Sequence, residues 1–173
     1  LSIFFAFNRK IMKTITLIRH AKSSWEYDVS DIDRPLSTRG VNDANLLSKK
    51  FIEYSFAPDA IFSSPANRAL TTCNIFIDNL NVSKKLLSVD EKLYDFGGHQ
   101  VAKFINNLSD QYNKVMIFGH NHAFTAIANS CGSTYIDNVP TCGLVMIEFE
   151  VDYWADVKKG ITKMTIFPRD LKD

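Results

Sequence analysis

The chain has 173 residues, of which 46% are hydrophobic and 23% are charged, and its formal net charge is +1. This length suits one domain with a sizeable core, and the composition is that of a globular protein rather than a disordered or membrane-spanning one. A net charge near zero gives no overall field that would attract nucleic acid. We therefore expect a single domain that binds neither nucleic acid nor a membrane.

The first eleven residues differ from the rest. An apolar run at positions 1–7 is followed by Asn8, Arg9 and Lys10. The run is too short to span a bilayer, and its positive charge lies on the wrong side for a signal peptide. We treat residues 1–11 as an extension of no assigned function and expect the domain to occupy residues 12–173, since a strand begins directly after Met12.

Apolar runs of strand length alternate with segments of helical periodicity along most of the chain. The predicted elements, in chain order, are a strand at 15–18, a helix at 41–51, a strand at 59–62, a helix at 66–80, a weaker strand at 86–89, a helix at 101–108, a strand at 115–118 and a helix at 124–131. Ser37 or Thr38 is placed to cap the first helix. This alternation predicts a mainly parallel sheet with helices on both faces.

The end of the chain has a different pattern. Apolar and polar residues alternate over 145–151, which predicts a half-exposed strand. Gly160 then turns the chain into a second strand at 161–167, its expected hairpin partner. The predicted fold class is therefore α/β, a three-layer α/β/α sandwich with an antiparallel pair at one edge of the sheet.

Polar side chains follow three of the predicted strands. Arg19 and His20 follow the first strand, Arg68 lies in the first turn of the helix after the second, and His120 follows the fourth. Ligands of parallel α/β sheets bind beyond the carboxyl ends of the strands. If the strands are neighbours, these four side chains meet in one crevice.

Two arginines and two histidines in one crevice repel each other, and packing does not require such a group. A tetrahedral dianion such as phosphate would remove the repulsion, and arginine offers a fork of donors matched to phosphoryl oxygens. A neutral imidazole can attack phosphorus as a nucleophile. The cationic surroundings should keep His20 neutral near pH 7.

Metal and thiol sites are not indicated. Asp31 and Asp33 have no accompanying histidine or further acid in their segment, so they do not suggest a metal site. The cysteines, Cys73, Cys131 and Cys142, lie in apolar contexts and leave one unpaired under any disulfide scheme. We expect buried free thiols and a reducing, cytoplasmic location.

Three sequence blocks carry a family resemblance. Residues 17–21 (LIRHA), residues 63–72 (SSPANRALTT) and residues 119–121 (GHN) resemble the conserved blocks of the histidine phosphatase superfamily, and residues 33–40 match the segment before its first helix. The match extends from Met12 to about residue 150. The resemblance implies the phosphoglycerate-mutase-like fold, and a mechanism that needs no metal or other cofactor.

Within that superfamily, residues 19–25 (RHAKSSW) and the short chain resemble the SixA-type phosphohistidine phosphatases. The resemblance makes His20 the phosphorylated nucleophile and assigns the phosphate pocket to Arg19, Arg68 and His120. Two departures matter. Ala21 replaces the usual glycine, which the SixA-like branch tolerates, and Glu26 stands where mutase-type members carry a pocket asparagine, which argues against a mutase.

The sequence leaves the roles of the remaining candidate site residues open. Glu91 lies in the region where mutase-type members place an acidic residue, so it is either a general acid or a solvated side chain. A weak or absent acid favours phosphohistidine or phenolic phosphates, because imidazole leaves more easily than a sugar alkoxide. Lys22 and Ser23 could contact the phosphate or belong to a solvated loop. Trp25 and Tyr27 could form a docking rim or pin the loop.

Two histidines lie outside the motifs. We expect His99 and His122 to be surface residues.

The leading hypothesis is a phosphatase for phosphohistidine in a partner protein, such as a phosphotransfer domain or a phosphocarrier. It rests partly on the absence of a long insertion that could roof the pocket. A phosphomonoesterase for small phosphate esters is the first alternative. A phosphoprotein-binding module without turnover is the second, although a pure binder does not require the nucleophile.

Overall fold

The computed structural model describes residues 11–172. The expectation for the extension at 1–11 therefore lies, apart from Ile11, outside the described residues. Six strands are described: β1 (Lys13–Arg19), β2 (Ala60–Ser63), β3 (Leu87–Val89), β4 (Lys114–Gly119), β5 (Leu144–Phe149) and β6 (Ile161–Ile166). Four α-helices are described: α1 (Thr38–Phe51), α2 (Asn67–Leu80), α3 (His99–Asn106) and α4 (Ala123–Cys131).

The strands form one sheet in the order β3-β2-β4-β1-β5-β6. The neighbours among β1, β4, β2 and β3 are parallel, whereas β5 is antiparallel to β1 and β6 is antiparallel to β5. The antiparallel pair therefore lies at one edge, as predicted. Because β1 and β4 are central, adjacent and parallel, their carboxyl ends lie side by side at the same edge of the sheet.

Helices cover both faces of this sheet, which gives the predicted three layers. In β4, Val115 and Ile117 face the core shared with α3 and α4, and Met116 and Phe118 face the core shared with α1 and α2. All four side chains are fully buried. Burial on both faces explains why the central strands are continuous apolar runs rather than alternating ones.

The first helix is capped as the sequence predicts. Ser37 precedes α1, and its hydroxyl oxygen accepts a hydrogen bond of 3.1 Å from the backbone N–H of Gly40. Gly40 is required by packing, because a Cβ at this position would lie 2.1 Å from the carbonyl oxygen of Lys22. The helix therefore sits directly against the segment that follows β1.

One strand prediction was wrong in detail. The alternation over 145–151 predicted a half-exposed strand, but β5 ends at Phe149, and within it only Glu148 is half-buried rather than buried. Helices cover both of its faces, and β6 covers the edge that β1 does not. The alternating exposure is found in β6, which is the edge strand.

The cysteines are free thiols, with Cys73 and Cys142 buried and Cys131 half-buried. Burial strongly raises the pKa of the Cys73 and Cys142 thiols. In the part of the chain that the structure describes, every helix is too short or too polar to cross a bilayer.

Candidate active site

The two histidines lie side by side because they follow adjacent parallel strands. Arg19 at the end of β1 pairs in register with Gly119 at the end of β4. The backbone N–H of His20 donates to the carbonyl of Gly119 at 2.9 Å. The ring centroids of His20 and His120 are 5.2 Å apart. Strand order thus produces the proximity that the sequence predicts.

His20 lies in the wall of a cleft of about 510 Å³ and is 8% exposed. Its Nδ1 atom is 2.7 Å from the carbonyl oxygen of Ala21. Because a carbonyl can only accept, this contact assigns the proton to Nδ1 and leaves the lone pair on Nε2. A nucleophile needs such a free lone pair.

The structure also keeps His20 neutral. Burial is the main cause that lowers the pKa of His20, to about 3, and the hydrogen bond to Ala21 opposes this shift. The positive charges of Arg68, Arg19 and Arg34 lower the pKa further. The imidazole is therefore unprotonated at neutral pH, with desolvation contributing more than the cationic neighbours named in the sequence prediction.

His120 is fully buried behind His20. Its Nε2 atom is 2.7 Å from the hydroxyl of Ser64, the residue that follows β2. The pKa of His120 is lowered to about 3, mainly by burial and also by the interactions with His20 and Arg68. If the Ser64 hydroxyl donates to Nε2, the proton of the neutral ring lies on Nδ1, where it can be donated to a ligand.

The two arginines are anchored by different segments of the chain. Arg68 of α2 is 1% exposed, and its Nη2 atom donates to the Asp31 carboxylate at 2.9 Å. The Nη1 atom of Arg19 donates to the carbonyl of Val139 at 2.8 Å. Burial lowers the pKa of Arg19, although a guanidinium stays protonated in proteins. Both forks are thus fixed in position before a ligand arrives.

Unpaired donors are concentrated here. Among the described residues, the buried side-chain polar atoms without a hydrogen-bond partner are the Nε atoms of Arg19 and Arg68, Nδ1 of His120 and Oγ1 of Thr16. Three of these four belong to residues predicted to bind phosphate: Arg19 and Arg68, which line the cleft, and His120, whose ring centroid is 5.2 Å from that of His20. Buried polar groups are normally paired, so a cluster of unpaired nitrogen donors indicates a site for an acceptor ligand such as a phosphoryl group.

Sequence reasoning missed two residues of the site. Asp31 accepts hydrogen bonds from Arg68, from the Nε and Nη2 atoms of Arg34, and from the hydroxyl of Tyr94 at 2.5 Å. Arg34 is 8% exposed and also donates to the hydroxyl of Ser23 at 2.6 Å. The signal was available, because both residues are within or just before the 33–40 segment that resembles the family.

Asp31 is ionised in this setting. Partial burial raises its pKa, but hydrogen bonds from Tyr94 and Arg68, the charge of Arg68 and a hydrogen bond from Arg34 together lower it to about 2. The carboxylate therefore cannot donate a proton at neutral pH. Its role is to hold two arginine forks, and among the described residues that line the cleft it is the one carboxylate.

The other predicted contacts divide into two groups. Lys22 is exposed and lines the cleft, so it can reach a ligand. Ser23 also lines the cleft, but its hydroxyl accepts from Arg34 and so serves to position that arginine. Glu91 is exposed, in a 3₁₀ turn at Glu91–Leu93, and does not line the cleft. The structure therefore does not bring Glu91 together with the nucleophile.

The remaining sequence candidates lie at the surface. Trp25 lines the cleft, whereas Tyr27 lines a separate depression beside Ser37. His99 and His122 are exposed, as expected, and neither lines the cleft.

The backbone after the nucleophile is fixed by α2. The hydroxyl of Thr72 accepts from the N–H of Ala21 at 3.0 Å and donates to the carbonyl of Arg68 at 2.7 Å. One side chain thus connects the segment that carries His20 with the helix that carries Arg68. This connection explains why the 63–72 block extends beyond the arginine to a threonine.

Comparison with known proteins supports a phosphatase. A sequence profile for the histidine phosphatase superfamily (branch 1) matches residues 15–97. An uncharacterised protein of Mycobacterium tuberculosis is 27% identical over 160 residues, 87% of this chain and 98% of that protein. A 2,3-bisphosphoglycerate-dependent phosphoglycerate mutase of Hydrogenobaculum is 35% identical over 74 residues, 41% of this chain and 30% of the mutase.

The fold is also that of known structures. The protein histidine phosphatase SixA, solved as a complex with tungstate, matches with a TM-score of 0.77 at 20% identity, and the match covers 92% of this chain and 99% of that one. The architecture is therefore the phosphoglycerate-mutase-like fold, as the sequence blocks predicted.

Proposed function

We propose that this chain, whose residues 15–97 match the profile of the histidine phosphatase superfamily, is a phosphatase in which His20 attacks phosphorus and carries the phosphoryl group as a covalent intermediate. The observation that carries the proposal is the cluster of unpaired buried donors on Arg19, Arg68 and His120 around a neutral His20. Phosphoryl transfer depends mainly on positioning and charge neutralisation, and this cluster supplies both without a metal ion.

In the first step, Nε2 of His20 forms a bond to phosphorus as the bond to the leaving group breaks. The Nδ1–H group continues to donate to the carbonyl oxygen of Ala21, with 2.7 Å between nitrogen and oxygen, which supports the positive charge that develops on the ring. In the second step, a water oxygen bonds to phosphorus and the bond to Nε2 breaks. The water proton goes to the released phosphate, and His20 returns to its neutral form.

We propose that the leaving group is the imidazole of a phosphohistidine in a phosphotransfer domain or phosphocarrier. A phosphorylated imidazole that carries a proton on its other nitrogen leaves as a neutral ring and needs no general acid. The site suits this requirement, since Asp31, the carboxylate lining the described cleft, is ionised and Glu91 lies outside the lining. An alkyl phosphate would need the acid that this cleft lacks.

A small-molecule phosphomonoesterase is the second candidate. The observation that favours it is the 35% identity to a phosphoglycerate mutase over 74 residues, since phosphoglycerate is a small phosphate ester. For this candidate, Glu91 or another acid would have to enter the cleft during turnover.

The test is phosphate release from a phosphohistidine-bearing phosphotransfer domain in the presence of EDTA, compared with release from glycerol phosphate. We expect wild type to release phosphate from the protein substrate at least tenfold faster, and His20→Ala to release none. His99→Ala, a change at an exposed histidine outside the cleft, is the matched control and should behave as wild type. Faster release from glycerol phosphate would support the second candidate, and release by His20→Ala would refute the nucleophile.

A further inference from the structure

Two exposed aromatic rings lie at the mouth of the cleft. Trp25 is 74% exposed and Phe96 is 45% exposed, and both line the cleft together with His20. The other side chains that line the described cleft are polar or charged, so these two rings form its apolar surface. Their position at the entrance of a phosphate site therefore calls for a functional explanation.

Each ring is held in place by residues of the site. The guanidinium carbon of Arg34 lies 3.7 Å from the ring centroid of Trp25, so one indole face is covered by a cation that is itself fixed by Asp31. The high exposure of Trp25 shows that the rest of its surface is open to solvent. The Phe96 ring is 5.0 Å from His120 and 5.1 Å from Tyr94, measured between centroids.

The reaction places the leaving group near these rings. In-line attack by Nε2 of His20 puts the leaving group on the side of phosphorus that faces away from the nucleophile. His20 is 8% exposed, whereas Trp25 and Phe96 are exposed, so that side of phosphorus faces the two rings at the mouth. We propose that Trp25 and Phe96 form a subsite for a planar aromatic leaving group, so that this enzyme selects phosphate carried on an aromatic ring.

This inference rests on the proposed function and narrows its substrate class. Aromatic rings attract each other in offset-stacked or edge-to-face arrangements beyond the effect of buried area, whereas a saturated ring of the same size does not. Such a contact corresponds to a preference of about fivefold for a planar ring. Imidazole and phenol meet the requirement, and a sugar or glycerol group does not.

Binding can be tested without turnover. Phenylphosphonate and cyclohexylphosphonate have a carbon–phosphorus bond that the enzyme cannot hydrolyse, and they differ in whether the ring is planar. By calorimetry, we expect wild type to bind phenylphosphonate about fivefold more tightly. The preference should vanish in Trp25→Leu, persist in Trp25→Phe, and be unchanged in Tyr153→Leu, a control at an exposed ring outside the cleft.

Turnover provides the second readout. Phenyl phosphate and hexafluoroisopropyl phosphate have leaving groups of similar acidity, but only phenol is a planar ring. We expect Trp25→Leu or Phe96→Leu to lower kcat/KM about fivefold for the phenyl ester and to change the other by less than twofold. Equal losses on both esters would overturn the subsite and leave Trp25 as a support for Arg34.

The two proposals fail in different ways. If the protein binds phenylphosphonate preferentially but hydrolyses no phosphate, the proposed phosphatase activity is refuted and the proposed subsite is retained. Turnover through His20 with equal binding of the two phosphonates would retain the phosphatase and refute the subsite.

Discussion

The floor and the mouth of the cleft are built in different ways. The floor consists of Arg19, His20 and Arg68, with His120 buried next to His20, and the central strands and α2 place all four at one edge of the sheet. The mouth contains Lys22, Trp25 and Phe96, which are exposed and lie on connecting segments. In our proposals, the fold supplies the phosphoryl chemistry, whereas the segments around it select the leaving group.

Activity should fall when an arginine of the floor is replaced by a residue that keeps the positive charge but not the geometry of the donors. Arg68→Lys keeps the cation but loses the planar fork that two contacts to Asp31 hold in place. We expect kcat/KM to fall about 100-fold, since a point charge cannot reproduce paired donors at the phosphoryl oxygens. Arg39→Lys, at an exposed position outside the cleft, should stay within twofold of wild type. An Arg68→Lys enzyme with full activity would show that the fork geometry does not matter.

The buried histidines of the floor should make folding stability depend on pH. Their pKa values in the folded protein are about 3, against about 6.5 in an unfolded chain. Between these values the unfolded state binds more protons, so stability falls as the pH is lowered from about 6.5 toward 3, by about 1.4 kcal/mol per pH unit for each histidine.

Urea unfolding at a series of pH values measures this effect. His20→Asn should reduce the slope between pH 6 and pH 4 by the contribution of one histidine, estimated at about 1.4 kcal/mol per pH unit. His99→Asn, at an exposed position, should leave the slope unchanged. Equal slopes in wild type and His20→Asn would contradict the account of a neutral, buried nucleophile.

Asp31 connects the floor with the mouth, so its removal should affect both. Asp31→Asn leaves the nearly fully buried Arg68 without its carboxylate partner and releases Arg34 from under Trp25. We expect kcat/KM to fall about tenfold and the free energy of unfolding to fall by about 2 kcal/mol. Asp33→Asn, at an exposed aspartate in the same segment, is the control. If both variants behaved alike, Asp31 would not be a positioning residue.

The smallest effect is expected at Glu91. Because this side chain is exposed and outside the cleft lining, Glu91→Gln should change kcat/KM for phosphohistidine by less than twofold. Steady-state kinetics on both protein and alkyl substrates measures this. A large loss confined to alkyl phosphates would instead identify Glu91 as the general acid and favour the esterase candidate.

The parts of the site that follow from strand topology were predictable from the sequence. Arg19, His20 and His120 directly follow or end buried apolar strands, and Arg68 begins a strongly periodic helix, so the sheet order places them together. The fold was predictable for the same reason. The burial of β5 was not predictable, because it depends on which helices and strands cover its two faces and its edge. Local alternation of apolar and polar residues contains no information about these neighbours.

The parts that depend on loop conformation were not predictable. Asp31 meets Arg68 and Tyr94 through a segment without helical or strand periodicity, so its role depends on contacts across 37 and 63 positions of the chain. The role of Arg34 depends on its contacts with Asp31 and Ser23. Glu91 was a candidate general acid because it lies in the region of the chain where mutase-type family members have an acidic residue. The local turn, capped by the side chain of Asp90, leaves it exposed.

The covalent intermediate is the central claim, and trapping it is the most direct test. Wild type and His20→Ala would be mixed with a phosphorylated phosphotransfer domain, quenched within milliseconds in alkali, where phosphohistidine survives, and analysed by intact mass and peptide mapping. We predict one phosphoryl group on His20 of the wild type and none on the variant. A phosphoryl group on another residue, or steady hydrolysis with no trapped intermediate, would contradict the mechanism.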